Sequence, residues 1–308
     1  MDRAGAFPGA AIIKLNTDLN GGDDITNGHG SANYWQWAVM NNVAIGVNGA
    51  APVTYTGTGT TGLLAGSPPN AKYIAIWNSR CWLVSATNKN RLYFSKVGDS
   101  TDWSTAGISG AGYIEIGWND GDDITGIYAY KERLFVFKRN HIYQKITANP
   151  NTDNTLWRVE LLTREGGCVS AYTIKAFNDD LIFASEQGVI SLKTVLQWAD
   201  FKAAIISRKI DIGFNAGRDT YSAVVIPDKR QYWIAAEGRG ENTGVNTRTY
   251  VLDVAPNGSY RWLKHKFYFY AWQPPFFEDA KIPGAFPPTN QQWMTVGCFG
   301  KIYLGGVP

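Results

Sequence analysis

The residues with the clearest potential for chemistry lie in the stretch 118–125, WNDGDDIT, where Asp120, Asp122 and Asp123 place three carboxylates within four positions. Such a group could bind a cation, supply an acid/base pair, or form a turn. The spacing lacks the D-x-D-x-D-G pattern and the distal Glu of an EF-hand calcium loop. An irregular cation loop made of the three aspartates is therefore the metal-binding alternative to a plain turn.

A near-copy of this stretch, LNGGDDIT, occupies residues 19–26. A catalytic pair would need a fixed position relative to the strands that follow it. The first copy instead stands eight residues further from its hairpin than the second, and the segment NGHGSAN separates it from that hairpin. In the second copy, Ile124 and Thr125 lead directly into a strand. This difference favours a turn that begins a sheet over an active site.

Other acidic residues give little support for catalysis. The doublets at 23–24, 122–123 and 179–180 fall at strand entries or hairpin turns, where solvated Asp is common. Glu115, within the alternating strand YIEIGW, is the best candidate for a buried acid. Motifs for a serine nucleophile, a phosphate-binding loop or a catalytic zinc are absent. We therefore predict a protein that is not an enzyme and has no cofactor, with a hydrolase as the third alternative.

The cysteines and histidines are too dispersed for a metal site. Cys81, Cys168 and Cys298 are an odd number and lie in apolar, strand-like segments, which predicts buried free thiols. None of them stands in C-x-x-C spacing, and His29, His141 and His265 are equally isolated.

The charge and hydropathy patterns argue against dedicated nucleic-acid binding, a membrane span and a signal peptide. The net charge is +3, and Lys and Arg are scattered, whereas proteins dedicated to nucleic-acid binding usually carry a basic stripe. No apolar run approaches the roughly 18–20 residues of a membrane span, and residues 1–20 do not resemble a signal peptide.

One unit recurs along the chain: an alternating apolar strand, a short polar turn and a second apolar strand. Alternation with period 2, interrupted by Asn, Asp, Lys or Gly, is typical of antiparallel hairpins. The six units lie at 34–48, 72–86, 124–139, 171–186, 221–236 and 292–306.

The spacing of these hairpins predicts an all-β, β-propeller-like array of antiparallel blades. Their turns are 38, 53, 47, 49 and 72 residues apart, with further strands between them, and a blade of a propeller takes ~40–50 residues. A large β-sandwich is the alternative, and the final interval of 72 keeps it open. We predict one short helix near 196–206, an N-terminal arm or partial blade at 1–30, and a single domain at 31–308.

Two long segments with few strand signals, 49–70 and 274–290, are candidate docking loops. The second contains five prolines and three phenylalanines. Exposed aromatic residues anchor protein interfaces, so Phe276, Phe277 and Phe286 are the interface candidates.

Tryptophan is abundant, at 12 residues, and could provide stacking platforms for sugars. Five tryptophans lie inside alternating strands, where packing is the expected role: Trp35, Trp37, Trp77, Trp82 and Trp233. Trp198, Trp272 and Trp293 are freer, but they do not recur at one position of each blade.

The order of several motifs resembles the propeller-like nozzle or hub proteins of short-tailed bacteriophage tails. The similarity covers roughly 33–235, and its most specific part lies at 91–103, where RLYFS is followed by G-D and then D-W. These signature residues are Arg91, Leu92, Tyr93, Phe94, Ser95, Gly98, Asp99, Asp102 and Trp103. Physically, Asp99 and Asp102 suit side-chain-bonded turns, Trp103 could fill a gap between blades, and Arg91 could pair with one of the aspartates.

The resemblance implies a structural virion protein, made in the host cytoplasm and located in the tail. It implies a ring of identical subunits, most often six, in contact with the portal, the adaptor and other tail proteins. Double-stranded DNA would then pass through the lumen without sequence-specific binding. A receptor- or glycan-binding propeller is the alternative from a different functional class.

Overall fold

A computed structural model describes residues 5–6, 13–15, 22–25, 35–105, 110–146, 157–210, 212–214, 221–238, 246, 248–255, 259–265, 271–273, 293–298 and 301–306. The chain forms two compact units. The N-terminal unit comprises Ala10–Lys14 and Gly22–Arg164, and the C-terminal unit comprises Met1–Gly9, Leu15–Gly21 and Glu165–Pro308. The prediction of a single domain at 31–308 is not tested by this division.

The described part of the N-terminal unit is built from three four-stranded antiparallel sheets and a small two-stranded one. The first strand of the chain, β1 (Gly5–Ala6), belongs to the C-terminal unit. The next two strands, β2 (Ile13–Leu15) and β3 (Gly22–Asp24), pair with each other. The first sheet contains β4 (Gln36–Met40), β5 (Val43–Val47), β6 (Val53–Tyr55) and β7 (Gly62–Leu63). The second contains β8 (Ala71–Trp77), β9 (Arg80–Ser85), β10 (Arg91–Phe94) and β11 (Gly112–Glu115). The third contains β12 (Ile124–Tyr130), β13 (Arg133–Lys138), β14 (Ile142–Ile146) and β15 (Arg158–Thr163).

The C-terminal unit continues the pattern with three more sheets in its described residues. The fourth sheet contains β16 (Lys175–Phe177), β17 (Asp180–Ser185) and β18 (Gly188–Ser191), and helix α1 (Leu192–Trp198) follows it. The fifth contains β19 (Ile212–Gly213), β20 (Ser222–Ile226), β21 (Gln231–Gly238), β22 (Arg248–Val254) and β23 (Tyr260–His265). The sixth contains β24 (Ala271–Gln273), β25 (Trp293–Cys298) and β26 (Lys301–Gly306), and β1 pairs with β26 at its edge.

This succession of small antiparallel sheets confirms the predicted class, an all-β array of propeller-like blades. Within each of the first four sheets, strands that follow one another in the chain lie side by side. A sandwich would require two large sheets, whereas the described sheets have between two and five strands each. The pairing of Gly5 with Ile302 also shows that the first strand completes the last sheet. The sequence did not reveal this closure.

All six predicted hairpins are present, and local turn chemistry explains them. Hairpins of type I′ need a positive φ at both central residues. Three of the two-residue turns meet this condition: Asn41 and Asn42 (51° and 62°), Asn78 and Ser79 (48° and 54°), and Asn178 and Asp179 (50° and 59°). Asn and Asp tolerate this region better than most residues because their short side chains bond locally to the backbone. These turns therefore set the register of the strands on either side.

The core of the first two sheets shows how neighbouring blades pack together. Buried apolar residues from both sheets form one cluster: Met40, Ile45, Val47, Leu64, Ala71, Ile74, Cys81 and Leu83. Gly46 lies opposite Trp37 in the first sheet, and a Cβ placed on Gly46 would lie 2.6 Å from the indole ring. The glycine therefore provides the space in which Trp37 lies flat against the strand.

Two predictions about the elements are wrong in detail. The helix covers Leu192–Trp198 and not 196–206. It begins at Ser191, whose side chain accepts a hydrogen bond from the Thr194 amide, and it ends at Ala199, which has a φ of 51°. The amide of Ile206 then bonds the Val189 carbonyl, so the chain returns to β18 where the helix was expected to continue.

The second difference lies in the segment 49–70, which was predicted to be a loop with few strand signals. It contains β6 and β7, the outer half of the first sheet. Residues 56–60 between these strands are exposed. The docking role predicted for this segment is untested, and only its tip has the form of a loop.

Candidate functional site

The turn at 118–123 is fixed by an ion pair that solvent hardly reaches. The ammonium group of Lys138, on β13, lies 2.7 Å from both carboxylate oxygens of Asp120. The Lys138 side chain is 0% exposed and that of Asp120 is 15% exposed. The hydroxyl of Tyr143 donates to the same carboxylate at 3.1 Å. A Cβ on Gly117 would lie 2.1 Å from Asp120 Oδ2, so the chain needs a glycine beside this pair.

The electrostatics of Asp120 agree with a permanently charged, structural carboxylate. Burial alone would raise its pKa, but the hydrogen bonds from Lys138 and from the Asp122 amide hold the pKa of Asp120 below its ordinary value. Burial, together with the hydrogen bond to Asp120, raises the pKa of Tyr143 to about 12. Neither group is therefore placed to exchange protons near neutral pH.

Asp122 is the second anchor of the turn, and it is buried. Its carboxylate accepts hydrogen bonds from the amides of Arg139 and Asn140, at 3.2 and 2.7 Å. The Nδ1 atom of His141 lies 2.9 Å from the same carboxylate. These three residues connect β13 to β14, so Asp122 ties the 118–123 turn to the next hairpin connection of the third sheet.

Asp123 faces a different direction from its neighbours. It pairs with Lys89 at 2.8 Å, and both side chains are more than half exposed. The three carboxylates thus contact three different parts of the protein, and protein donors occupy each of them. Among the described residues, no group of three His, Cys, Asp or Glu side chains could hold a metal ion. The cation loop remains an untested prediction, and the geometry favours the turn.

The first copy of the motif has a different structure from the second. Its residues Gly22–Asp24 form β3, and Ile25 is buried. The carbonyl of Ile25 accepts hydrogen bonds from both the amide and the hydroxyl of Thr61. In the second copy, Ile124 begins β12 and its amide bonds the Lys89 carbonyl. The repeated letters therefore do not produce a repeated site.

Trp118 is the feature of this turn that the sequence did not indicate. It immediately follows Gly117, and 77% of its surface is exposed. Tryptophan carries a large apolar surface and usually lies at least partly buried. Here the indole is exposed on a turn whose aspartates, Asp120 and Asp122, are bonded to the third sheet. The sequence carries no signal for this exposure, which depends on the course of the backbone after β11.

The signature at 91–103 forms a rigid connection between the first two hairpins. The amide of Gly98 donates to the Ser79 carbonyl at 2.6 Å, and Asn41 Nδ2 donates to the Gly98 carbonyl at 2.8 Å. Both Asn41 and Ser79 occupy hairpin turns. Gly98 has a φ of 75°, a conformation that glycine adopts readily. The signature thus links the turn of the first sheet to the turn of the second.

The two aspartates of the signature form the expected side-chain-bonded turns. Asp99 accepts from the amide and the hydroxyl of Thr101, at 2.8 and 2.7 Å. Asp102 accepts from the amide and the hydroxyl of Ser104, at 2.9 and 2.6 Å. The hydrogen bonds from Ser104, with a further one from Lys96, lower the pKa of Asp102 to about 2.

The partner expected for Arg91 is wrong. Its Nε lies 2.9 Å from Glu115 and not beside an aspartate, because β10 and β11 bring residues 91 and 115 directly opposite each other. Glu115 is accordingly a cross-strand partner with 29% of its side chain exposed, and it is not a buried acid. Trp103 packs against the core cluster shared by the first two sheets, as expected, and its Nε1 donates to the Ser100 carbonyl.

The C-terminal unit contains a buried carboxylate, Asp180, at the start of α1. It accepts hydrogen bonds from the amides of Leu181 and Lys193 and from the hydroxyl of Ser191. Burial raises the pKa of Asp180. Because Ser191 is the N-terminal cap of α1, this network fixes the start of the helix on β17. It is a structural network that holds the first turn of the helix.

The predicted cysteines and tryptophans are buried in some places and exposed in others. Cys81 and Cys168 are both buried, and burial raises the pKa of both thiols, that of Cys168 to about 12. Trp77 and Trp82 are buried, while Trp198 is 66% exposed. The interface candidates Phe276, Phe277 and Phe286 lie outside the described residues, as do His29 and the side chains of Cys298, Trp272 and Trp293.

Comparisons with known proteins return structural similarities only. No protein-family model matches the chain, and no curated protein matches it. PorZ, a surface component of the type-IX secretion system of Porphyromonas gingivalis, has 11% identity and a TM-score of 0.45 over 81% of this chain and 29% of its own. Hsv2 of Kluyveromyces lactis has 10% identity and a TM-score of 0.42, covering 86% of both chains.

BamB from Moraxella catarrhalis has 9% identity and a TM-score of 0.41 over 98% of this chain and 92% of its own. With TM-scores below 0.5, these similarities assign neither family nor function. Within the described residues, no helix has the length and hydrophobicity needed to cross a membrane.

Proposed function

We propose that this chain is a non-enzymatic, propeller-type scaffold that docks a macromolecular partner through the 118–123 turn. One observation carries the proposal. Asp120 and Asp122, the residues best placed for chemistry, are held by Lys138 and by the turn that follows β13, while Trp118 beside them is exposed to solvent. A rigid base with an exposed indole fits recognition better than catalysis.

The energetics of an exposed tryptophan support a docking role. A buried indole covers about 150–250 Å². At about 25 cal/mol per Å² this is worth roughly 4–6 kcal/mol to a complex before the cost of association is subtracted. The anchored turn reduces that cost, because the backbone under Trp118 is already ordered. Interfaces concentrate their binding energy in such aromatic anchors.

The finer form of the proposal is a structural protein of a bacteriophage tail, located in the virion. Its support is the resemblance at 91–103 to nozzle and hub proteins. The residues of this signature have a structural role in the interpretation given above. In this chain Gly98, Asp99 and Asp102 hold a rigid connection between two hairpins. The partners would be identical subunits in a six-fold ring, together with the portal, the adaptor and other tail proteins. The net charge of +3 suits a channel wall that DNA passes without binding.

A second candidate is a receptor- or glycan-binding propeller. Two tryptophans, Trp118 and Trp198, expose most of their surface, at 77% and 66%. Sugars stack on exposed aromatic faces, so the Trp118 indole would serve as the platform in this alternative. Trp198 lies in the C-terminal unit, at the end of α1. It supplies a control of the same residue type and similar exposure for every experiment on Trp118.

The discriminating experiment combines mass measurement in solution with electron microscopy. We compare the wild-type chain with Trp118→Ala and Trp198→Ala. The virion form of the proposal expects rings of six 34.0 kDa subunits, located at the tail axis of purified particles and lost in Trp118→Ala only. The glycan form expects a monomer that binds on a glycan array and loses binding with Trp118→Ala.

Two results would overturn the proposal. If both variants assemble and bind as the wild type does, the 118–123 turn is not a docking site. If the purified chain cleaves a glycan at a rate that Asp120→Asn or Asp122→Asn abolishes, while the fold is retained, the turn is catalytic and the non-enzymatic assignment is wrong.

A further inference from the structure

The second sheet contains a buried arginine that the proposed docking role does not use. Arg80, the first residue of β9, is 1% exposed. Its Nη1 donates to the carbonyls of Ser95 and Gly110, at 2.6 and 2.8 Å. Its other two nitrogens, Nε and Nη2, are buried and have no hydrogen-bond partner in the structure. Among the described residues, no carboxylate pairs with this guanidinium.

The surroundings of Arg80 favour a cation but do not neutralise it. The guanidinium carbon lies 5.1 Å from the ring centroids of both Phe94 and Trp157. These rings lie 4.8 Å apart, centroid to centroid. Aromatic faces attract cations, and the two carbonyls satisfy one edge of the group. Burial lowers the pKa of Arg80 below its ordinary value, yet arginine in proteins stays protonated.

The two unpaired nitrogens belong to the same edge of the guanidinium group. Nε–H and one Nη2–H point side by side and form the fork that binds a carboxylate or another planar oxyanion through two parallel hydrogen bonds. A buried, unpaired charge is costly, and a pair of hydrogen bonds from its free edge would relieve that cost. The geometry therefore specifies the charge and the shape of a group that this edge would bind.

We propose that the Nε–Nη2 edge of Arg80 is a binding site for a small planar oxyanion of the carboxylate class. The ligand is small because Arg80 is 1% exposed, which excludes a side chain of a docked partner. It is planar because the fork presents two parallel donors. The bound anion would neutralise the buried guanidinium of Arg80 and would thereby stabilise the second sheet.

The test measures anion-dependent stability of the full-length chain at constant ionic strength. Formate is exchanged stepwise for chloride, and the melting temperature is recorded. We expect formate to raise it by about 2–4 °C for each tenfold increase in concentration above the dissociation constant. Nitrate, which is also planar, should act like formate, whereas spherical chloride should be at least tenfold weaker.

Two variants of Arg80 and one matched control locate the effect. Arg80→Lys keeps the charge but lacks the fork, and Arg80→Met lacks both, so each should lose the formate response. Arg91→Met removes an arginine of the neighbouring strand β10 that already has its own carboxylate, Glu115. This control should be less stable than the wild type and should retain the full response to formate.

A measurement on the wild type keeps the proposal testable if the Arg80 variants do not fold. In protein labelled with ¹⁵N-arginine, the Nε–H signal of a buried guanidinium is protected from exchange with solvent. Formate should shift one protected signal in a saturable way. If no protected signal moves and the melting temperature does not respond, the site binds no anion and the proposal is wrong.

One further arm identifies a carboxylate supplied by the chain itself. Asp153 is the nearest acidic residue before Trp157 in the sequence, and Asp153→Asn removes it. If formate does not change the melting temperature of the wild type but raises that of Asp153→Asn, an internal carboxylate already occupies the fork. The proposal of a free anion is then overturned. If formate changes the melting temperature of neither protein, the fork binds no added anion, and the proposal is overturned as well.

Discussion

Replacing Asp120 with asparagine would remove the counter-charge of the Lys138 ammonium group, which solvent does not reach. Lys138 is 0% exposed, and both of its short contacts, at 2.7 Å, are with the Asp120 carboxylate. The remaining contacts are with neutral atoms at longer distances, Asn90 Oδ1 at 3.3 Å and the Gly117 carbonyl at 3.4 Å. Removing one partner of a buried ion pair typically costs about 3–5 kcal/mol. We expect Asp120→Asn to lie at the upper end of this range.

Removing the other partner of the ion pair, with Lys138→Met, should cost less stability, about 2–3 kcal/mol. The carboxylate that remains is 15% exposed and keeps two donors, the Tyr143 hydroxyl and the Asp122 amide. Methionine also fills most of the space left by the lysine stem. The expected order, with Asp120→Asn the more damaging, follows from the different exposure of the two charges.

Urea unfolding followed by tryptophan fluorescence and circular dichroism measures these losses. Native-state hydrogen exchange of the β12–β14 amides assigns them to the N-terminal unit. Lys89→Met is the matched control because it breaks an exposed ion pair. The Lys89 side chain is 62% exposed and that of its partner Asp123 is 55% exposed. Such exposed pairs contribute about 0–1 kcal/mol. The double variant Asp120→Asn/Lys138→Met should be more stable than Asp120→Asn alone, because no unpaired charge stays buried.

Two outcomes would refute this reasoning. If Asp120→Asn costs no more than Lys89→Met, the pair is hydrated in solution and does not anchor the turn. If Lys138→Met costs more than Asp120→Asn, packing of the lysine stem, and not its charge, is the main contribution.

Three further expectations follow from single positions. Gly117→Ala should destabilise the N-terminal unit by about 2 kcal/mol or more in urea unfolding, because its Cβ would overlap Asp120 and because φ is 59°; a neutral result contradicts the geometry. Asn78→Ala should cost about 1 kcal/mol and Asn78→Gly almost nothing, since φ is 48°; equal losses would exclude a backbone cause. Asp102 should titrate near pH 2 by carbonyl NMR, so its stabilising contribution, complete above about pH 4, is lost as the pH falls toward 2; Ser104→Ala should move the titration upward.

Hairpins and their turns were predictable because their causes are local. Alternation of apolar residues defines a strand within a few positions, and Asn41, Asn78 and Asn178 mark turns by their own conformational preference. The regular interval between hairpins then indicated blades, since no single hairpin can bury both of its faces. The helix was misplaced because its start depends on Ser191 and Asp180, which are brought together by β17 and β18.

The candidate site could be predicted only in part, for a related reason. The sequence identified Asp120, Asp122 and Asp123 as a turn, and this interpretation agrees with the geometry. It could not identify Lys138 as the partner of Asp120, because that contact depends on the packing of a turn against a strand of the next sheet. Likewise Arg91 pairs with Glu115 through a strand register that crosses a long intervening loop.

The sequence by itself therefore determined the class of fold, the hairpins and the turn-forming nature of the acidic motif. Periodicity and turn propensity act over a few residues, so they can be read without a partner strand. Only the tertiary structure decided which charges are buried, why Trp118 is exposed, and that Arg80 lies in the interior with two unpaired nitrogens. Burial is a property of the whole set of neighbours around a side chain, and residues distant in the sequence supply those neighbours.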